Sequence, residues 1–152
     1  MSSAPKHSEG PSKPVKKTFR ADDGLEIVGD VRGQGDTALV FLHGWCGDRE
    51  YWKNQVGVFA ADYRVVAIDQ AGHGESGKRR KAWTADGLAG DVEAVVKALG
   101  LKRVILVGHS MAGWVAAGRQ ADAGDGRRRD RRRYPAKRRA QTARGGAQAN
   151  PR

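Results

Sequence analysis

The sequence predicts an α/β fold with a mostly parallel sheet, and three observations carry that prediction. First, Ala38–Leu42, Arg64–Ile68 and Val104–Val107 are short runs that are apolar almost throughout rather than alternating. Such runs mark strands covered on both faces. Second, the segments between them, Arg49–Ala60 and Thr84–Leu99, place apolar residues at helical spacing. Third, strands and helices alternate along the chain, which implies right-handed crossovers between parallel strands.

Each element follows from its residues. Residues 1–16 are Ser-, Pro-, Lys- and Gly-rich with little apolar besides Val15, which predicts a disordered leader. From Thr18 to Val31, Leu25, Ile27 and Val31 alternate with polar neighbours around Asp23-Gly24, the pattern of a β-hairpin. Gly33–Asp36 is a loop. In Arg49–Ala60, Trp52, Val56 and Phe59 line one helical face. Asp69–Ser76 is a glycine-rich loop, and Lys78–Lys81 reads as a solvated basic connector. The next helix puts Leu88, Val92, Val95, Val96 and Leu99 on one face, with Thr84 as its N-cap and Gly100 as its stop.

Charge is concentrated at the ends. The chain of 152 residues, a length suited to one domain, carries a net charge of +11. Residues 119–152 hold 12 Lys/Arg against 3 Asp/Glu and residues 1–20 hold 5 against 1, leaving a near-neutral middle. The lone Cys46 excludes an intramolecular disulfide and fits a reducing compartment. No apolar run approaches the ~18–20 residues needed to span a bilayer. The basic N-terminus has no apolar core behind it, so a secretory signal is not expected. These features predict a cytoplasmic protein without a membrane partner.

The most informative stretch is Val104–Val107 running into Gly108-His109-Ser110-Met111-Ala112-Gly113. A strand, a tight turn carrying serine and a helical start form a nucleophile elbow, which lifts one hydroxyl above the sheet. Backbone N–H groups at the helix start are then available for a developing oxyanion. The usual spacing is G-x-S-x-G, and here Ala112 stands at the last position. The plain alternative is a serine in an ordinary strand-to-helix turn.

In an open α/β sheet, ligands bind beyond the carboxyl ends of the strands. Three loops leave there: His43-Gly44-Trp45, Asp69-Gln70-Ala71-Gly72-His73-Gly74-Glu75-Ser76, and the elbow itself. In this order and spacing they resemble the α/β-hydrolase superfamily over residues 18–118. The resemblance implies a sheet of the α/β-hydrolase type with Ser110 as nucleophile. It also implies that Trp45 and Met111 supply oxyanion-hole N–H groups from the main chain. His43, Gly44, Asp69, Gly72, His73, Gly74, Gly108 and His109 would then organise the loops rather than titrate or bind a metal. It implies no cofactor and a small-molecule substrate: an ester, thioester, lactone, activated carbonyl or cleavable C–C bond. Members that open epoxides or displace halide usually place Asp at the nucleophile position, so those reactions rank lower.

The resemblance stops where the composition changes. The triad order in this fold is Ser, acid, His, yet no histidine follows Ser110. Removing the base from such a triad costs on the order of 10⁶ in turnover. From Gly118 onward the sequence is Arg-, Ala- and Gly-rich without apolar periodicity. Reading arginine codons of the CGN type one base later permits a helix end and a valine-rich strand instead. The domain is therefore expected to cover residues 17–118, truncated after the elbow and its helix, with residues 119–152 an out-of-frame or disordered basic tail. The alternative is a basic binding protein on a hydrolase scaffold, with the arginine runs at 127–129, 131–133 and 137–139 contacting nucleic acid non-specifically.

Overall fold

The computed structural model describes residues 13–115. β1 (Val15–Arg20) and β2 (Glu26–Arg32) form the expected antiparallel hairpin, with Val15 opposite Val31 and Arg20 opposite Glu26. Its turn closes because Gly24 takes a positive φ of 85° and the Asp23 carboxylate accepts the Leu25 N–H at 3.1 Å. β1 begins at Val15, so Val15 and Lys16 belong to the hairpin and not to a leader. Residues 1–12 and 116–152, with the arginine runs, lie outside the described residues.

β3 (Thr37–Leu42), β4 (Arg64–Ile68) and β5 (Arg103–Gly108) complete a five-stranded sheet of order β1-β2-β4-β3-β5. It is parallel through β4-β3-β5 and antiparallel where β2 meets β4. Leu42 is in register with Ile68 on one side and Gly108 on the other. The three parallel strands therefore end level, and the three motif loops leave from one edge.

Helices on both faces explain why the strand runs do not alternate. Val40, Leu42, Val66 and Ile68 pack with Val92 and Val95 of α2 (Ala85–Ala98). Leu39, Phe41, Val65 and Ala67 pack on the opposite side with Val56 of α1 (Lys53–Phe59) and with Ala60. Fully burying a Val, Leu or Ile side chain contributes about 1.5–3 kcal/mol. Thr84 caps α2 through Gly87 N–H at 3.0 Å, and Gly100, at φ 61°, ends it.

Two expectations need correction. The helix predicted from Arg49 opens as a 3₁₀ turn, Arg49–Trp52, and becomes α-helical only at Lys53. Asp48 caps that turn through the Glu50 N–H, while the Arg49 N–H is drawn onto Asp69 at 2.7 Å, which holds the first turn tight. The connector Lys78–Lys81 is not uniformly solvated. The Arg80 side chain is only 6% exposed and joins Asp23 of the hairpin turn to the buried Asp91 of α2. These hydrogen bonds, from Asp91 first and then Asp23, raise the Arg80 pKa above its ordinary value, while burial raises that of Asp91 against the opposing pull of Arg80.

Candidate active site

Ser110 sits at the end of β5 with φ 54°, a left-handed backbone that a non-glycine residue rarely holds. Such a conformation costs about 1–3 kcal/mol and persists only when its surroundings enforce it. Here they do so through the main chain. The His109 N–H donates to the Leu42 carbonyl at 3.0 Å, tying the turn to β3. The Ala112 N–H donates to His109 O at 3.1 Å, and the Gly113 N–H to Ser110 O at 2.9 Å. A Cβ on Gly108 would stand 2.4 Å from the Ala112 carbonyl oxygen, so strand and helix meet too closely for any side chain there. Ala112, where glycine is usual, is fully buried in the core and its methyl is accommodated. Ser110 itself is exposed.

The first loop lies against this turn. A Cβ on Gly44 would come within 2.9 Å of His109 Nδ1 and 3.2 Å of Ser110 Cβ. The Trp45 peptide follows directly, while its side chain is exposed and meets His73 edge-on at 5.5 Å between ring centroids. Among the described residues, neither the Trp45 N–H nor the Met111 N–H donates to a protein acceptor. His43 anchors the loop from beneath and is fully buried. Its Nε2 accepts the Gln70 N–H at 2.9 Å, which makes Nδ1 the protonated nitrogen, donating to Gly44 O at 2.7 Å. Burial lowers its pKa below 6.5, the Gly44 bond opposing only in part, so the ring is neutral. The Gln70 side-chain amide returns a hydrogen bond to the His43 carbonyl.

The second loop is wrapped round a carboxylate. Asp69 is fully buried and accepts from the Glu75 N–H at 2.8 Å, the Arg49 N–H at 2.7 Å and the Arg49 guanidinium. Gly74, at φ 49°, could not carry a Cβ, which would fall 2.3 Å from that carboxylate. Ser76, also buried, donates to Asp69 O at 2.6 Å and accepts the Val28 N–H at 2.8 Å, pinning the loop to β2. Gly72, at φ 88°, passes under the Trp83 ring. His73 approaches the Ala71 carbonyl through Nδ1 at 3.2 Å and packs edge-on against His43. His109 stacks on Tyr51 with centroids 4.9 Å apart.

The structure thus brings together every residue singled out in the sequence, with Ser110 and the Trp45 and Met111 peptides at one edge and the polar loop residues around them. Sequence reasoning missed Arg49 and Gln70 as supports. Neither has a local signal, because their partners lie on other elements. Among the described residues no group of His, Cys, Asp or Glu is arranged to hold a metal ion, and no helix is long and apolar enough to cross a membrane.

The fold is shared with known proteins. The profile of the family described as alpha/beta hydrolase fold matches residues 37–117, and the chain belongs to that family. Among curated proteins it is 37% identical over 105 residues to the dihydrolipoyllysine-residue acetyltransferase component of the acetoin cleaving system of Cupriavidus necator, covering 69% of this chain and 28% of that protein. It is 39% identical over 109 residues to a non-heme haloperoxidase of Rhodococcus erythropolis, covering 70% of this chain and 39% of that enzyme. Among solved structures it is similar to an esterase from Exiguobacterium antarcticum, with a TM-score of 0.67 at 28% identity, covering 73% of this chain and 41% of the esterase. A Vigna radiata epoxide hydrolase variant gives a TM-score of 0.66 at 26% identity, covering 73% and 36%. The chain spans less than half the length of each of these relatives.

Proposed function

We propose that the chain carries the nucleophile and oxyanion hole of a serine hydrolase acting on an ester or related acyl substrate. The observation that supports this best is the left-handed, exposed Ser110 on a strained turn beside two N–H groups that have no acceptor among the described residues. In this reading the Ser110 oxygen attacks the substrate carbonyl carbon. The Trp45 and Met111 N–H groups donate to the negatively charged carbonyl oxygen. The ester C–O bond breaks, the alkoxide takes a proton from water to leave as the alcohol, and a second water hydrolyses the acyl-serine to the acid and free Ser110. One oxyanion donor of this kind is worth on the order of 10²–10³ in rate. Both His43 ring nitrogens are engaged, so the hydroxyl proton passes to solvent water. A serine at this position favours acyl transfer over epoxide opening, and an esterase is among the structural relatives. The reading calls on no metal or cofactor: a side chain makes the attack, backbone N–H groups hold the charge, and water completes the hydrolysis.

Turnover of p-nitrophenyl acetate by the full chain tests it. The expected result is hydrolysis above the buffer rate that Ser110→Ala abolishes. Equal rates for the two proteins refute the proposal.

A further inference from the structure

Arg49 was not singled out by any motif, yet its side chain makes three charged hydrogen bonds at the loop edge. Its side chain is 12% exposed and engages three carboxylates from separate parts of the chain. Nε donates to Asp30 of β2 at 3.0 Å and Nη1 to Asp69 at the end of β4. Nη2 donates to Glu75 at 2.6 Å, and the backbone N–H adds a further bond to Asp69. This cluster lies at the carboxyl edge of the sheet, and none of its members belongs to either hydrophobic core.

Its place in the chain gives it a role. The segment Gly44–Asp48 is fixed at one end by His43, bonded to Gln70, and at the other by Arg49, bonded to Asp69 and Glu75. Between these anchors lie the Trp45 peptide and the left-handed Cys46, at φ 58°. Within the segment the one backbone hydrogen bond is from Gly47 N–H to Gly44 O, at a long 3.3 Å. A strained segment with so little internal bonding takes its conformation from its ends.

We infer that Arg49 is a positioning residue of the proposed active site: it clamps the 43–49 loop onto the 69–76 loop and so holds the Trp45 N–H beside Ser110. The inference rests on the serine-hydrolase reading for its catalytic consequence, but not for the clamp itself. A planar guanidinium is required, because a single ammonium cannot meet three separated carboxylates at once. Displacement of a catalytic donor by about 1 Å costs on the order of 10² in rate.

The test is amide hydrogen exchange of the full chain, read by peptide, for the wild type, Arg49→Met, Arg49→Lys and Glu75→Gln. Arg49→Met is expected to speed exchange in residues 43–49 by about tenfold or more, while β3 and β4 stay protected. Arg49→Lys and Glu75→Gln, which removes only the exposed link, are expected to fall between. In parallel, Ser110-dependent ester hydrolysis should lose kcat by on the order of 10² with KM nearly unchanged, and Arg49→Lys should recover part of it. Should Arg49→Met not fold, Glu75→Gln combined with Asp30→Asn carries the same expectation for residues 43–49. Unchanged exchange in that loop overturns the inference. So does a rise spread evenly over the strands, which makes Arg49 a stability residue, or a loosened loop with unchanged kcat. If Ser110→Ala leaves hydrolysis unaffected, the serine reading fails while the exchange result still decides the clamp.

Discussion

The elbow 108–113 and the loop 43–49 converge on Ser110, but they are held in place by different means. The elbow is fixed by main chain: Gly108 pressed against the Ala112 carbonyl, two local peptide hydrogen bonds, a third to Leu42 of β3, and a left-handed Ser110. The first loop is fixed by side chains from a distance, His43 reaching Gln70 and Arg49 reaching Asp30, Asp69 and Glu75. A turn held by main-chain sterics resists everything except a change of volume. A loop held by buried charge is sensitive to any change in charge, and therefore to mutation at a distance and to pH.

The comparison is broken most severely at Asp69. Asp69→Ala leaves the Arg49 guanidinium without its buried partner and the Arg49 and Glu75 N–H groups without their acceptor. A loss of about 3–5 kcal/mol is expected, measured by urea unfolding. Gly108→Ala attacks the other region by volume alone. Its methyl must displace the Ala112 carbonyl, and about 1–3 kcal/mol should be lost in the same assay.

Acid should loosen the first loop through two groups. His43 has a folded pKa lowered below 6.5 by burial, so below pH 6.5 the unfolded chain binds the extra proton. Its contribution is fully present above pH 6.5 and falls as the pH drops towards the lower folded value. Glu75 is held down to about 2, by the Arg49 hydrogen bond first and that of Lys16 second, so its contribution is lost only between about 4.5 and about 2. Urea midpoints from pH 8 to 3 should therefore show an early decline that His43→Gln removes. The smallest effect is expected at Gly113, where a Cβ meets nothing within 4 Å at the first helical turn. Gly113→Ala should raise stability by about 0.5–1 kcal/mol.

The same division explains what the sequence revealed. The hairpin around Asp23-Gly24, the three apolar strands, the Thr84 cap and the Gly100 stop depend on neighbours a few residues away, and each is found where its residues predict. The elbow is legible for the same reason. Arg49 and Arg80 are not, because Arg49 finds its carboxylates 19, 20 and 26 residues away, and Arg80 finds Asp23 57 residues away. A lone arginine gives no periodicity by which to choose between water and a buried partner. The late onset of α1 has the same origin, since the tight turn at Arg49 follows from Asp69, just past the next strand.

The central claim is that the Ser110 oxygen is the nucleophile, and the most direct measurement is the mass of the protein after brief exposure to p-nitrophenyl acetate. The exposed thiol of Cys46 would compete for acetyl groups, so Cys46→Ser is the background for the experiment. A single added acetyl group is expected, which peptide mapping places on Ser110 and Ser110→Ala eliminates. An acetyl group found elsewhere, or an equal gain in mass without Ser110, would contradict it.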